Sequence, residues 1–282
     1  MNKNLLINRV FSQSTLNDVV NKNESAILSK AYQYFSNSSG KSDISFVNQF
    51  QEVYSYIEKE YRNEYFFKNT LLNKLLLGVH SINTTTALAE LPISQSVADF
   101  VLINGKAVVY EIKTEYDNLT KVEKQVEDYY KVFDHVVIIS VEKYKEKLLE
   151  KFEGSPVGIS ILTPKNTISL KKYPDRNTKS LDYKTMYKLL RQHERETILL
   201  KELEELPETN QFKKFDDYYQ EFKKIPMEIL YNHMLIEMKK RTNLIDDKEF
   251  FLQIPYEMRA LYYFSKLSRT NKQSLKSKLE GE

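Results

Sequence analysis

The sequence predicts an α/β fold in which a helix, a three-stranded antiparallel meander, a second helix and a fourth strand form a core that precedes a helical extension. Three observations predict this order. Apolar residues follow a helical period before Thr84 and form short strand-like segments after it. A helical segment then precedes residues 135–141, a continuous apolar run typical of a strand buried on both faces. Beyond Pro174 the chain is highly charged and again helical in its spacing.

The part of the chain before the meander is expected to contain two helices, at residues 15–36 and 46–78. One face of the second helix is marked by four residues at spacings of three and four, namely Glu64, Phe67, Leu71 and Leu75. Gly78 suits the end of this helix, because glycine commonly follows a last helical turn.

Segments rich in β-branched and aromatic residues predict the meander. Its three strands are expected at residues 86–93, 96–103 and 106–113, with Asn104-Gly105 in the second turn. The helix after the meander is expected at residues 119–133. After the fourth strand we expect a helix at residues 142–153 and a hairpin of residues 158–162 and 167–170.

This order predicts three segments of the chain. They are an N-terminal helical segment at residues 1–55, a core at residues 56–173 and a charged helical extension at residues 174–282. The extension is broken near three prolines and has the length of a small domain. It has no paired carboxylates on strands, no histidine cluster and no glycine-rich loop, so we expect it to select a target or a partner.

The composition excludes several classes of protein. The chain has no cysteine, which removes disulfide frameworks, thiolate metal sites and cysteine nucleophiles. Six glycines without a glycine-rich loop argue against the use of ATP or dinucleotides. No apolar run approaches the roughly 20 residues of a spanning helix, and the N-terminus lacks a secretory signal pattern. We therefore expect a cytoplasmic protein with no membrane partner.

The formal net charge of +3 is too small to indicate a nucleic-acid partner, but the charges are unevenly distributed along the chain. Residues 1–140 carry 14 basic and 16 acidic side chains, whereas residues 141–282 carry 28 and 23. The tail from Arg259 onward is basic, which is consistent with phosphate contacts or with a solubilising terminus.

Three ionisable residues lie in the otherwise apolar strands of the meander. Asp99 belongs to the second predicted strand, and Glu111 and Lys113 lie two residues apart in the third, which places them on one face. Four scattered histidines leave carboxylates and a hard cation as the expected metal chemistry. Two carboxylates that hold a cation beside a lysine that orients water are the groups that phosphodiester hydrolysis requires.

The turn between these strands decides whether the three side chains meet. A two-residue turn with Ile103 opposite Lys106 would send Glu111 to the other face from Asp99. A three-residue loop with a left-handed Gly105 would pair Leu102 with Lys106 and Asp99 with Val109, so that all three side chains share a face. Glycine at the third position favours the second arrangement.

With Asp99, the Asn104-Gly105 turn and Glu111-Ile112-Lys113, the sequence resembles the PD-(D/E)XK nuclease superfamily. Residues 125–129 also resemble the Gln-x-x-x-Tyr element of its RecB-like branch, and the stretch from Tyr65 resembles a bacterial family of nuclease-like proteins. The resemblance covers residues 60–141 and implies a restriction-endonuclease-like core. Ala98 replaces the proline of the motif, a departure that many members share.

The resemblance also implies roles for individual residues. Asp99 and Glu111 would be metal ligands, for Mg²⁺ or Mn²⁺, and Lys113 would be the catalytic lysine. Gln125, one helical turn from Tyr129, would steady the lysine or a phosphate; the alternative is an ordinary polar position on an amphipathic helix. A ligand from the first helix is common, and Glu64 and Glu90 compete for that place.

The expected function is metal-dependent hydrolysis of DNA, in DNA repair, mobile-element biology or phage defence. Two alternatives stay open: a catalytically inactive nuclease fold that binds DNA or protein, and a regulator that acts mainly through the tyrosine-rich helices of residues 180–270. Those helices are also the expected contact for a protein partner or a second copy of the chain.

Overall fold

The computed structural model describes residues 3–36, 44–241 and 248–281. Contacts within the chain divide it into two compact units. One unit comprises Met1–Val79 together with Asn243–Glu282, and the other comprises His80–Thr242. The division into segments at residues 1–55, 56–173 and 174–282 remains a prediction.

The described residues before residue 80 are mainly helical. They are α1 (Lys3–Val10), α2 (Gln13–Lys22), α3 (Ala26–Phe35), α4 (Phe46–Lys59) and α5 (Glu64–Leu71), and a π-helical turn, Leu72–Leu77, continues α5 up to Gly78. Each of the two predicted helices is interrupted by a cap. Ser25 accepts a hydrogen bond from the backbone of Leu28 at the start of α3, and Asn63 accepts one from Phe66 at the start of α5.

The second unit is built on a six-stranded sheet in the order β1 to β6. The strands are β1 (Thr86–Ile93), β2 (Ser96–Asn104), β3 (Lys106–Lys113), β4 (His135–Ser140), β5 (Gly158–Leu162) and β6 (Ile168–Lys172). Strands β1 to β3 form the antiparallel meander that the sequence predicts, β3, β4 and β5 are parallel neighbours, and β6 returns antiparallel to β5. The expected α/β class and the order of its elements are confirmed.

Helices connect the parallel strands and follow the sheet. They are α6 (Val122–Tyr130), α7 (Lys145–Lys151), α8 (Tyr183–Leu189), α9 (Gln192–Leu203), α10 (Lys214–Phe222) and α11 (Met227–Lys239). A 3₁₀ turn, Glu142–Tyr144, leads into α7. Helix α6 crosses from β3 to β4 and α7 from β4 to β5, as parallel neighbours require. Strand β4 is buried at all six positions, which confirms its predicted burial on both faces.

Helices α8 to α11 share one hydrophobic core with the sheet. This core joins residues of the strands to residues of α8, α9, α10 and α11; examples are Val101, Val109, Val136, Met186, Leu230 and Met234. The part of the predicted extension up to α11 therefore packs as an integral portion of the second unit.

Asp134, just before β4, fixes α11 to the sheet. Its buried carboxylate accepts hydrogen bonds from Tyr231 at 2.6 Å and Arg176 at 3.0 Å, and the ring of His135 lies 2.8 Å away. Burial alone would raise the pKa of Asp134, but the hydrogen bonds from His135, Tyr231 and Arg176 outweigh it and hold that pKa below its usual value. Asp134 is therefore a charged anchor inside this unit.

The chain after residue 247 completes the first unit with α12 (Lys248–Gln253), α13 (Arg259–Tyr263) and α14 (Arg269–Glu280), and a 3₁₀ turn, Tyr256–Met258, precedes α13. Asn69 of α5 ties the two parts of this unit together. Its buried amide group donates to the hydroxyl of Tyr54 and the carbonyl of Tyr256, and it accepts from the backbone of Ala260. The basic tail is thus largely helical, with Leu275 buried.

Candidate functional site

The two candidate metal ligands lie on neighbouring strands of the sheet. Phe100 pairs with Tyr110, and one further step of this register places Asp99 of β2 opposite Glu111 of β3. Residues opposite one another in a ladder share a face, so both carboxylates lie on the same side of the sheet. Asp99 also accepts a hydrogen bond from the backbone of Ile112 at 2.7 Å, which holds its carboxylate against β3.

The register of this hairpin differs from both alternatives weighed from the sequence. Leu102 pairs with Val108, and the expected pairing of Leu102 with Lys106 is wrong by two residues. Gly105 is left-handed as expected, with φ of 68°, but it forms the tip of a loop in which Ile103 pairs with Ala107. A shift of two residues preserves the alternation of faces, so the expected common face survives the correction.

Glu111 is enclosed by hydrogen-bond donors. Its side chain is 1% exposed, and its Oε1 lies 2.7 Å from the ammonium group of Lys113. The hydroxyl of Tyr129 lies 2.5 Å from its Oε2 and 2.8 Å from the carbonyl of Val97, so one proton is shared between two acceptors. Burial raises the pKa of Glu111, and the positive charge and hydrogen bond of Lys113 offset part of that rise.

Lys113 joins the sheet to helix α6. Its ammonium group donates to Glu111 on the same strand and to the amide oxygen of Gln125 at 2.9 Å. Gln125 and Tyr129 lie one turn apart on α6, and both contact the group of residues around Glu111. The structure therefore brings together Asp99, Glu111, Lys113 and Gln125, four residues singled out from the sequence.

Glu90 lies beside this group in an unusual backbone conformation. Ala89 pairs with Phe100 and Leu91 pairs with Ala98, so Glu90 of β1 stands opposite Asp99 in the register. Its φ of 53° is left-handed, a state that costs a non-glycine residue about 1–3 kcal/mol. Residues with such strain concentrate at functional sites, which keeps Glu90 a candidate ligand.

Glu64, the competing candidate, belongs to the other compact unit. It lies in the first turn of α5, and its carboxylate pairs with Lys68 one turn later at 2.5 Å. This pairing gives Glu64 a local structural role at the start of the helix, where a negative charge is also favoured by the helix dipole.

The backbone around Lys113 is fixed by residues that the sequence analysis missed. Ser140, the last residue of β4, donates a hydrogen bond to the carbonyl of Lys113 at 2.7 Å. Asp117 accepts hydrogen bonds from the backbone and the hydroxyl of Thr114, at 2.8 and 2.7 Å. One signal for Ser140 was available in the sequence: it is a polar residue in a strand otherwise made of apolar residues and an initial histidine.

The donor set fits a magnesium ion. Within residues 3–36, 44–241 and 248–281, no group of three or more His, Asp or Glu residues is arranged to hold a metal ion. Mg²⁺ is commonly bound by only one or two carboxylates, with water and substrate phosphate as its other ligands. Asp99 and Glu111 supply two such oxygen ligands, so the pair suits a cation that is shared with a substrate.

Fold and site together define an α/β protein with an open mixed sheet and a buried carboxylate–lysine cluster at its third strand. The family model of bacteriophage P4 protein cII matches residues 57–255, which include every residue of this cluster. The match spans well over half of the 282 residues, and the chain belongs to that family. Comparison with curated proteins and with solved structures gives no significant match.

One observation bears on the expectation of no membrane partner. Among the helices of the described ranges, none has both the length and the apolar character that crossing a membrane requires.

Proposed function

We propose that this protein hydrolyses phosphodiester bonds of DNA at Asp99, Glu111 and Lys113, with Mg²⁺ or Mn²⁺ as its cofactor. One observation carries the proposal: the ammonium group of Lys113 lies between Glu111 and Gln125, on the face of the sheet that also carries Asp99. In this proposal β1 to β4 with α6 form a restriction-endonuclease-like core.

Each residue of the cluster has a distinct task. Asp99 and Glu111 hold the cation, which when bound polarises a phosphoryl oxygen and acidifies water. Lys113 orients the attacking water and brings a fixed positive charge to the developing negative charge. Glu111 and Gln125 each accept a hydrogen bond from the ammonium group of Lys113 and hold it in place.

The burial of Glu111 sets a condition on activity. A carboxylate must be ionised to hold a divalent cation, and burial raises the pKa of this one. Its hydrogen bonds from Lys113 and Tyr129 favour the ionised form and counteract that rise. We therefore expect cleavage to fail on the acid side at a higher pH than an ordinary glutamate would impose.

A catalytically inactive fold is the second candidate function. It is favoured by the saturation of Glu111, because its two oxygens already face Lys113 and Tyr129. In that case the cluster is a buried ion pair that stabilises a module for binding DNA or protein. The two candidates differ in whether the cluster binds a divalent cation.

Membership of a family named for a bacteriophage protein supports mobile-element biology as the setting, ahead of DNA repair or phage defence. A cytoplasmic location and a protein partner or second copy on the C-terminal helices remain parts of the proposal.

The test is cleavage of supercoiled, linear and single-stranded DNA by the purified chain with Mg²⁺, Mn²⁺ or EDTA. Glu111→Gln removes the proposed ligand, and Glu127→Gln is its matched control, because Glu127 is an exposed residue of α6. We expect metal-dependent cleavage by the wild type and the control, and none by Glu111→Gln. Absence of both cleavage and Mn²⁺ binding in the wild type would favour the inactive module.

A further inference from the structure

A cavity lies among the helices of the unit that contains the sheet. It has a volume of about 540 Å³, within the roughly 300–1,000 Å³ typical of small-molecule sites. Helices α8, α9 and α10 and the segment of residues 207–211 enclose it. The hydrolysis proposed above uses none of its residues.

Aromatic rings form the inner wall of this cavity. Tyr187 and Tyr218 are buried side chains of the lining, and Phe215 is a half-exposed one. The hydroxyl of Tyr187 donates to the backbone carbonyl of Phe215 at 2.9 Å, and the two rings meet edge to face. The wall is therefore held in place, and the exposed part of the Phe215 ring offers flat apolar surface to a ligand ring.

Among the described residues, Arg195 is the cation of this wall that forms no salt bridge, although the carboxylate of Glu196 attracts it at longer range. The guanidinium of Arg195 lies over the rings of Tyr187 and Phe215, 4.6 and 5.2 Å from their centroids. No salt bridge joins it to a carboxylate in the part of the chain that the structure describes. Lys214, the other cation of the lining, is neutralised by Glu196 at 2.5 Å. Arg195 is thus stacked in position, with hydrogen-bond donors for an anion.

The mouth of the cavity carries amides and an exposed ring. Gln192, Asn210 and Gln211 line it, and their amide groups match the donors and acceptors on the edge of a base. The side chain of Asn210 accepts hydrogen bonds from the backbone of Phe212 and Lys213, which fixes the loop. Phe212, next to the lining, is 98% exposed.

We propose that this cavity binds a nucleotide, with the base against the half-exposed ring of Phe215 and the phosphate on Arg195. Stacked aromatic rings with an arginine suit a base and its phosphate. The chain has no glycine-rich phosphate loop, so a guanidinium takes that role. The preceding segment carries Glu204, Glu205 and Glu208, and Asp217 accepts a hydrogen bond from Thr209 of the lining. A strand that runs along this surface would meet more of these carboxylates than a single nucleotide does, which favours a free nucleotide over a nucleic-acid strand.

The test is calorimetric titration of the full chain in EDTA with 2′-deoxyadenosine 5′-monophosphate. We expect saturable binding that Arg195→Gln weakens at least tenfold. Lys188→Gln is the matched control, because Lys188 is an exposed cation of α8 that does not line the cavity. Its replacement should change the affinity less than twofold. Gln211→Ala, at an exposed loop position, should weaken binding severalfold without affecting the fold.

Three further probes identify the ligand. Deoxyadenosine and inorganic phosphate should each bind more weakly than the nucleotide, and a ten-residue oligodeoxyadenylate should bind no more tightly. If the oligonucleotide binds more tightly than the nucleotide and Arg195→Gln weakens that binding, the cavity recognises a nucleotide that belongs to a nucleic-acid strand. Equal affinity for phosphate alone, no binding, or binding unaffected by Arg195→Gln would overturn the proposal. EDTA removes the ions that hydrolysis needs, so the failure of either proposal leaves the other standing.

Discussion

Replacement of Tyr129 by phenylalanine tests the proposed role of Glu111 with the least disturbance. The hydroxyl of Tyr129 lies 2.5 Å from Glu111 Oε2, in a site where the tyrosine side chain is completely buried. Phenylalanine keeps the ring and its packing, and removes only this donor. Because the hydroxyl favours the ionised carboxylate, its removal raises the pKa of Glu111.

The size of the shift follows from the hydrogen bond that is lost. A hydrogen bond to a charged group contributes about 1.5–3 kcal/mol, and the proton of Tyr129 is shared with the carbonyl of Val97. We therefore take the lower value, which at about 1.4 kcal/mol per pKa unit gives about one unit. The acid limb of DNA cleavage at subsaturating Mg²⁺ should move about one pH unit upward, and activity should recover at higher pH.

Tyr130→Phe is the matched control for this experiment. Tyr130 is the next residue of α6 and is also buried, but its hydroxyl has no hydrogen-bond partner among the residues that the structure describes. Its replacement should leave the pH profile of cleavage unchanged. An unchanged profile in Tyr129→Phe as well, or a loss of activity that high pH does not restore, would refute the proposed coupling between Tyr129 and Glu111.

Three further predictions concern single residues. Asp99→Asn and Glu111→Gln should abolish metal-dependent cleavage while circular dichroism shows a folded chain, and full activity in either variant would remove that residue as a ligand. Glu90→Gly should raise the free energy of unfolding by up to about 1 kcal/mol, because relief of the left-handed strain exceeds the entropic cost of glycine. The same variant should weaken Mn²⁺ binding. Unchanged Mn²⁺ binding would show that Glu90 is not a metal ligand. Tyr231→Phe should lower the free energy of unfolding in urea by about 1.5–3 kcal/mol through its lost bond to Asp134, with cleavage retained; an unchanged midpoint would contradict the anchor.

Much of the sheet was predictable because its strands differ in composition from the helices around them. The limits expected for the first strand, residues 86–93, and for the third, residues 106–113, agree with the structure. Alternation and burial are local properties of a strand, so they leave a pattern in the sequence. Alternation also placed Glu111 and Lys113 on one face, whereas Asp99 was joined to them by a predicted turn whose register the structure corrects by two residues.

Other features depend on contacts that no local pattern encodes. The cap at Asn63 splits a segment whose apolar period continues through it, so the helix expected at residues 46–78 was too long. The left-handed backbone conformation of Glu90 lies within an ordinary strand pattern. It could not be predicted, because no glycine marks the position. The packing of α8 to α11 on the sheet depends on side chains such as Tyr231, far from Asp134 in the sequence.

The tip of the β2–β3 hairpin has a consequence for how this family can vary. With Gly105 at its centre, the loop fixes which residue of β2 faces which residue of β3. Insertion of two residues there would change the pairs but return every side chain to its own side of the sheet. A slip of the strands by one residue would send Glu111 and Lys113 to the opposite side from Asp99. Relatives with a longer loop should therefore hold the extra residues in the loop itself, or slip the strands by an even number of residues.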